Sequence, residues 1–374
     1  MAEGTWEKLS QVAVLGAEYD SPERQPHPKC LEGTRVDLLK LIHRLLDKRE
    51  KSQIIWLHGT AGVGKSAVAF TVAERMKSLK ITQNTKIETR LAGTFFFSRN
   101  SKERSTTGHF FATLAYQLAS NFPGVRNDVN RAVRENPAVN ANLKLSPISS
   151  PSLGKLFVIL NFPRLEEHIR QAIQTEDMRA LVHEIPVNTS GESVAGIISL
   201  DGEDVDNDIY IFLQYSFMKL QNRHPDFPQP TADKLRRLAN RAGRRFIVAS
   251  TMMKFVDDGC NDPRDRLELM LDLTNELLPG TEVYELYNRI LATCSDPSRA
   301  YQHLSIVAAL ADPLPISQIS KLLGPGQGRD VATALMQLRS FMDIPADSSH
   351  PVNIYHSSIR DYHHIPYSLT PLSA

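Results

Sequence analysis

The chain is poor in cysteine, with three in 374 residues. Cys30, Cys260 and Cys294 are far apart and odd in number, which fits neither a zinc-binding spacing nor a disulfide framework. We therefore expect reduced thiols in an intracellular compartment, where the three side chains serve packing.

An excess charge of either sign and long apolar runs are also missing. Lys and Arg number 43 against 42 Asp and Glu, so no basic surface points to nucleic acid or to an anionic membrane as the partner. Apolar runs such as Leu156–Leu160 are far shorter than the roughly 20 residues of a membrane helix. The N-terminus has no basic segment followed by an apolar one, so no secretory signal is expected. These absences predict a cytoplasmic protein.

Short apolar runs alternate with segments of helical period in the first part of the chain. Residues 1–30 are polar and proline-rich and are predicted to be a flexible tail. Ile54–Leu57, Gly93–Ser98 and Leu156–Leu160 are typical of buried strands, and helices are predicted between them. This alternation predicts an α/β fold with a parallel sheet and helices on both faces. From about residue 230 onward the pattern is mainly helical.

One motif carries chemistry. It runs from Gly59 through Thr60, Ala61, Gly62, Val63, Gly64 and Lys65 to Ser66, and it fits the phosphate-loop pattern at each defined position. Glycines let backbone N–H groups curl around a phosphate, and Lys65 adds a positive charge. The Ser66 hydroxyl is suited to binding Mg²⁺. A strand before the loop and a helix after it supply the required context, so the sequence predicts binding of ATP or GTP with Mg²⁺.

Hydrolysis needs an acidic residue at the end of another strand. The Leu156–Leu160 run ends in Asn161 and offers no carboxylate. The run before Asp201 and Asp204 has the acids, but it is equally consistent with a solvated acidic turn after a short strand. The residues therefore leave three alternatives open: a nucleotide-binding protein with little or no turnover, an active ATPase that uses Asp201 or Asp204, or a small-molecule kinase, for which the sequence shows no Arg-rich lid segment.

The segment IIWLHGTAGVGKSAVAFTVAERM, with CLEGTR before it and LAGTFFFSRN after it, resembles the NACHT-type NTPases of filamentous fungi. These carry a nephrocystin-type N-terminal domain and belong to the NLR-like STAND class of signalling ATPases. Later segments continue the resemblance in the same order: RLEEHIR, DNDIYIFL, RAGRRFIVASTMMKFV, LYNRIL and HSSIRDY.

The resemblance implies a phosphate-loop nucleotide domain over 31–225, a helical domain over 226–300 and a winged-helix-like domain with its tail over 301–374. It implies a conformational switch that is closed with ADP and self-associates, or binds other signalling proteins, with ATP. It places Arg164 as a sensor of the γ-phosphate and His356 near the β-phosphate. Arg35 is expected either beside the nucleotide base or in solvent at a helix start.

The sequence departs from the family pattern in three places. The acidic (Walker B) strand is missing before the strand that leads to Arg164, so the metal-site carboxylates are expected to be deleted and Asp201 to belong to a later strand. An effector domain before residue 30 and sensing repeats after the winged-helix motif are also missing. These departures predict a shortened product, truncated, alternatively spliced or mis-assembled, with weak or absent hydrolysis. An inert interaction module, in which the deleted strand leaves the sheet unable to fold, is the alternative.

Overall fold

The computed structural model describes residues 3–24, 27–47, 54–77, 91–98, 101–105, 109–123, 126–135, 157–161, 195–201, 205–275, 283–310, 312–323 and 331–362. The chain divides into two compact units. The first comprises Met1–Cys30, Arg35–His58 and Lys65–Ser199, and the second comprises Leu31–Thr34, Gly59–Gly64 and Leu200–Ala374. The described part is mostly helical, with few and short strands. The three domain boundaries predicted from the sequence stay predictions.

The first unit contains α1 Glu3–Val12, α2 Val36–Asp47, β1 Ile54–His58, α3 Lys65–Lys77, β2 Leu91–Phe96, α4 Phe110–Asn121, α5 Arg126–Glu135, β3 Phe157–Asn161 and β4 Ala195–Ser199. β1 pairs with β4 and β2 pairs with β3, and both pairs are parallel. β1–β3 lie where the apolar runs predicted strands. Parallel pairing agrees with the α/β prediction as far as these two strand pairs go.

A side chain of α4 forms hydrogen bonds with the backbone of β2. The Thr94 N–H donates to Oε1 of Gln117 over 2.7 Å, and Nε2 of Gln117 donates to the Thr94 carbonyl over 2.9 Å. Gln117 is buried, so both backbone groups of Thr94 are satisfied away from water.

The predicted N-terminal tail is wrong for residues 3–24. They form α1 and two short 3-10 turns, Leu15–Ala17 and Pro22–Arg24. Leu9 is buried in a cluster with apolar residues of α4 and α5, and the Trp6 ring stacks on Tyr116 at 4.8 Å between centroids. Proline content indicated a tail, but the apolar side chains of this segment find an apolar surface on α4 that the local pattern does not reveal.

The second unit contains α6 Val205–Arg223, α7 Ala232–Arg241, α8 Phe246–Val256, α9 Pro263–Asn275, α10 Val283–Ala292, α11 Pro297–Ala309, α12 Ile316–Leu322, α13 Val331–Met336, β5 Met342–Asp343, β6 Asn353–Ile354 and α14 Ser358–Tyr362. β5 and β6 are antiparallel. One continuous apolar core joins α6 to α14, with Phe217, Tyr287 and Phe341 fully buried in it.

The helices α5 and α11, like α1, were not predicted from the sequence. α5 lies in a segment predicted as polar, and among its described side chains Val129 and Asn130 are buried. α11 begins after Asp296, whose carboxylate accepts from the Arg299 N–H over 3.0 Å, with Pro297 in the first turn. These are ordinary helix-start signals that a search for apolar period alone passes over.

Candidate functional site

The predicted strand, loop and helix around the phosphate-loop motif are confirmed as local structure. β1 ends at His58, the loop covers Gly59–Gly64, and α3 begins at Lys65. Gly62 and Gly64 have φ angles of 81° and 102°, a region that residues with a Cβ adopt only with strain. The glycines therefore stand where the curled backbone requires them.

Lys65 and Ser66 form the first turn of α3 in the first unit. Both side chains are half-buried, and the first turn carries no acidic residue of its own. An α-helix of thirteen residues directs the positive end of its dipole toward its N-terminus. This end of α3 has the electrostatic character that an anion requires.

Asp201 contacts the loop directly. The Thr60 N–H donates to both carboxylate oxygens of Asp201, over 2.9 Å and 3.0 Å, and the Thr60 hydroxyl donates to Oδ1 over 2.9 Å. The two residues are 141 positions apart in the chain. Asp201 follows β4, the strand that pairs with β1. The structure thus brings together two predicted site residues that the sequence could not connect.

The N-terminus of α8 packs against the other side of the loop. The Ile247 N–H donates to the Gly62 carbonyl over 3.2 Å, and a Cβ on Gly62 would lie 2.0 Å from Cγ2 of Ile247. A Cβ on Gly64 would lie 3.7 Å from the Phe246 ring. Sequence analysis missed this contact, since the segment of α8 offered only its resemblance to a family helix.

His356 lies in a hydrogen-bond network with α14 and α10. The Ser358 N–H donates to Nδ1 of His356 over 3.1 Å, so Nδ1 carries a lone pair and the neutral ring has its proton on Nε2. Ser358 Oγ lies 2.8 Å from the same Nδ1 and 2.9 Å from the Tyr287 hydroxyl. Burial raises the pKa of Tyr287, so this hydroxyl keeps its proton. The network fixes the orientation of the His356 ring.

Arg35 is buried, with 4% of its surface accessible. Of the two positions expected for Arg35, the one in solvent at a helix start is therefore wrong. The Arg35 φ of 55° is unusual for a residue with a side chain. Arg164 and Asp204 lie outside the described residues, as does the segment expected to hold the shortened sensor strand. The expected roles of Arg35 and Arg164 toward a nucleotide stay predictions.

Three further observations on the described residues concern metal ligands, cysteines and membrane-spanning helices. No group of three or more His, Cys, Asp or Glu side chains in the described ranges is placed to hold a metal ion. No disulfide joins the three cysteines, all of which the structure describes, and Cys294 is buried while Cys260 is exposed. None of the described helices is both long enough and apolar enough to cross a bilayer.

Residues 37–168 match the family model described as Nephrocystin 3, N-terminal. No curated protein matches the chain. The matched range contains β1, the loop with Lys65 and Ser66, α3 and β2. The match therefore supports a nephrocystin-type N-terminal domain in this part of the chain.

Proposed function

We propose that the chain binds a nucleoside triphosphate, ATP or GTP, with Mg²⁺ through Gly59–Ser66. The observation that carries the proposal is the glycine-rich loop between β1 and α3, with positive φ at Gly62 and Gly64. A Cβ on Gly62 would collide with Ile247, so this position of the loop accommodates glycine and no larger residue unless Ile247 moves. Lys65 would contact the phosphates, and Ser66 would hold Mg²⁺ together with phosphate oxygens and water.

We infer further that the nucleotide acts as a switch in a NACHT-type STAND core. The parallel strand pairs would belong to a phosphate-loop sheet, followed by the helical domain and the winged-helix-like domain expected from the resemblance. The contact of Gly62 with Ile247 supports the switch, because a loop that changes shape around phosphate would move the start of α8. His356 would lie near the β-phosphate, as the resemblance implies. Self-association or binding of other signalling proteins would follow.

Nucleotide binding is tested by thermal unfolding with and without Mg·ATP, Mg·GTP and ADP. A ligand at 100 times its dissociation constant adds about 2.7 kcal/mol to the free energy of unfolding. We expect this stabilisation in the wild type and its loss in Lys65→Ala. Lys77→Ala, at the exposed far end of the same helix, is the matched control and should respond like the wild type. A folded wild type that responds to no nucleotide would refute the proposal.

A second candidate function is ATP hydrolysis with Asp201 as the metal-site acid, favoured by its position beside Thr60. We expect the wild type to release phosphate no faster than Lys65→Ala, since Asn161 stands where β3 would need a carboxylate. Turnover that depends on Lys65 and is lost in Asp201→Asn would favour the active ATPase instead.

A further inference from the structure

The backbone of Asp201 directly follows β4 and a buried residue. The parallel register of β1 and β4 ends at His58 opposite Ser199. Leu200, the next residue after β4, is fully buried, which fixes the backbone that carries Asp201. The buried Leu200 side chain therefore limits the positions that the adjacent Asp201 can take.

The loop is shaped to let this carboxylate approach. A Cβ on Gly59 would lie 3.2 Å from Cβ of Leu200 and 3.4 Å from Oδ1 of Asp201. Thr60 then offers two donors, its N–H and its hydroxyl, to the same carboxylate. These hydrogen bonds restrain Thr60, the residue at which the loop begins to curl.

We propose that Asp201 is a positioning residue for the phosphate loop, and that its carboxylate clamps Thr60 in the shape that accepts a nucleotide. The inference rests on the proposed nucleotide binding. It differs from a metal-site role because the three hydrogen bonds go to the second residue of the loop, whereas the expected Mg²⁺ ligand, Ser66, is its last. The clamp works through hydrogen-bond acceptors, and its negative charge is a cost beside a triphosphate.

Three substitutions separate acceptor from charge. In Asp201→Asn the amide oxygen still accepts from Thr60, and the charge is gone. In Asp201→Ala both are gone. Thr60→Val removes the hydroxyl and keeps the N–H, while Thr60→Ser keeps both donors and is the matched control.

The first experiment measures the dissociation constant of a fluorescent ADP analogue for the full chain, with Mg²⁺ and with EDTA. We expect Asp201→Ala to bind about tenfold more weakly under both conditions, the loss that removal of a hydrogen-bond acceptor gives. Asp201→Asn and Thr60→Ser should keep most of the affinity that Asp201→Ala loses, and Thr60→Val should lie between. Equal affinity of Asp201→Ala and the wild type would overturn the clamp. So would an affinity loss shared by Asp201→Asn and confined to Mg²⁺, which indicates a metal-site acid.

A second measurement needs no nucleotide. Hydrogen exchange of the peptide that spans residues 59–66 should speed up in Asp201→Ala and stay slow in Asp201→Asn. Unchanged exchange in Asp201→Ala would overturn the clamp. A folded wild type that binds no nucleotide would refute the proposed function, and exchange would still decide whether Asp201 holds the loop. If Asp201→Ala fails to fold, Thr60→Val and Asp201→Asn carry the same comparison.

Discussion

Ile247 occupies the space that a side chain on Gly62 would need. Its Cγ2 lies 2.0 Å and its Cβ 2.8 Å from the position of a Cβ on Gly62, while its N–H donates to the Gly62 carbonyl. The hydrogen bond also satisfies one of the N–H groups left open at the start of α8, where no side chain caps the helix. The phosphate loop and the start of α8 therefore pack closely where Gly62 contacts Ile247.

Gly62→Ala should lose both stability and nucleotide binding, because the new methyl group must displace Ile247 or the loop. Gly259→Ala separates the cost of the clash from the cost of the positive φ. The φ of Gly259 is 73°, but a Cβ there would meet only the Arg339 guanidinium at 3.8 Å. This substitution should cost about 1 kcal/mol from backbone strain alone. Thermal unfolding of both variants gives the comparison. Adding Ile247→Ala to Gly62→Ala should recover part of the loss, and no recovery would mean that the clash is not its source.

Gln117→Leu should destabilise the first unit by about 3 kcal/mol, since the Thr94 N–H and carbonyl would both be buried without a partner. Ser120→Ala, exposed on the same helix, is the control and should change the unfolding temperature little. The measurement is thermal unfolding followed by circular dichroism. A loss no greater than that of the control would show that water or another group replaces the amide.

The Asp258 carboxylate should make the second unit sensitive to acid. Burial alone would raise its pKa, but hydrogen bonds from the Cys260 N–H, Arg266 and Asn261 together hold the pKa below its ordinary value. A lowered folded-state pKa gives stability that is present above the unfolded pKa, about 3.9, and is lost as pH falls through the folded pKa.

Asp258→Ala should therefore cost about 3 kcal/mol at pH 7, because it leaves Arg266 mostly buried without its carboxylate. The difference from the wild type should persist down to about pH 5 and shrink below about pH 4. Unfolding across this pH range is the test, and Asp272→Ala, exposed on α9, is the control. A difference that stays constant into acid would contradict the role of the ionised carboxylate.

Local pattern sufficed for the loop and for most elements. Gly59–Ser66 could be predicted because strand, glycines, lysine and helix follow one another in the chain, and each acts through its neighbours. The helical period likewise located α2 and α10. The family match over residues 37–168 covers this same local region.

Tertiary structure alone decided which residues meet the loop. Asp201 reaches Thr60 because β4 pairs with β1, and strand pairing depends on the whole core rather than on the residues near either strand. Ile247 reaches Gly62 for the same kind of reason, through the packing of α8 in the second unit. The N-terminal segment folds as α1 because α4 offers an apolar surface to Leu9. A sequence records which side chains can make such contacts, and only the folded chain selects among them, because burial rewards the arrangement that satisfies all of them together.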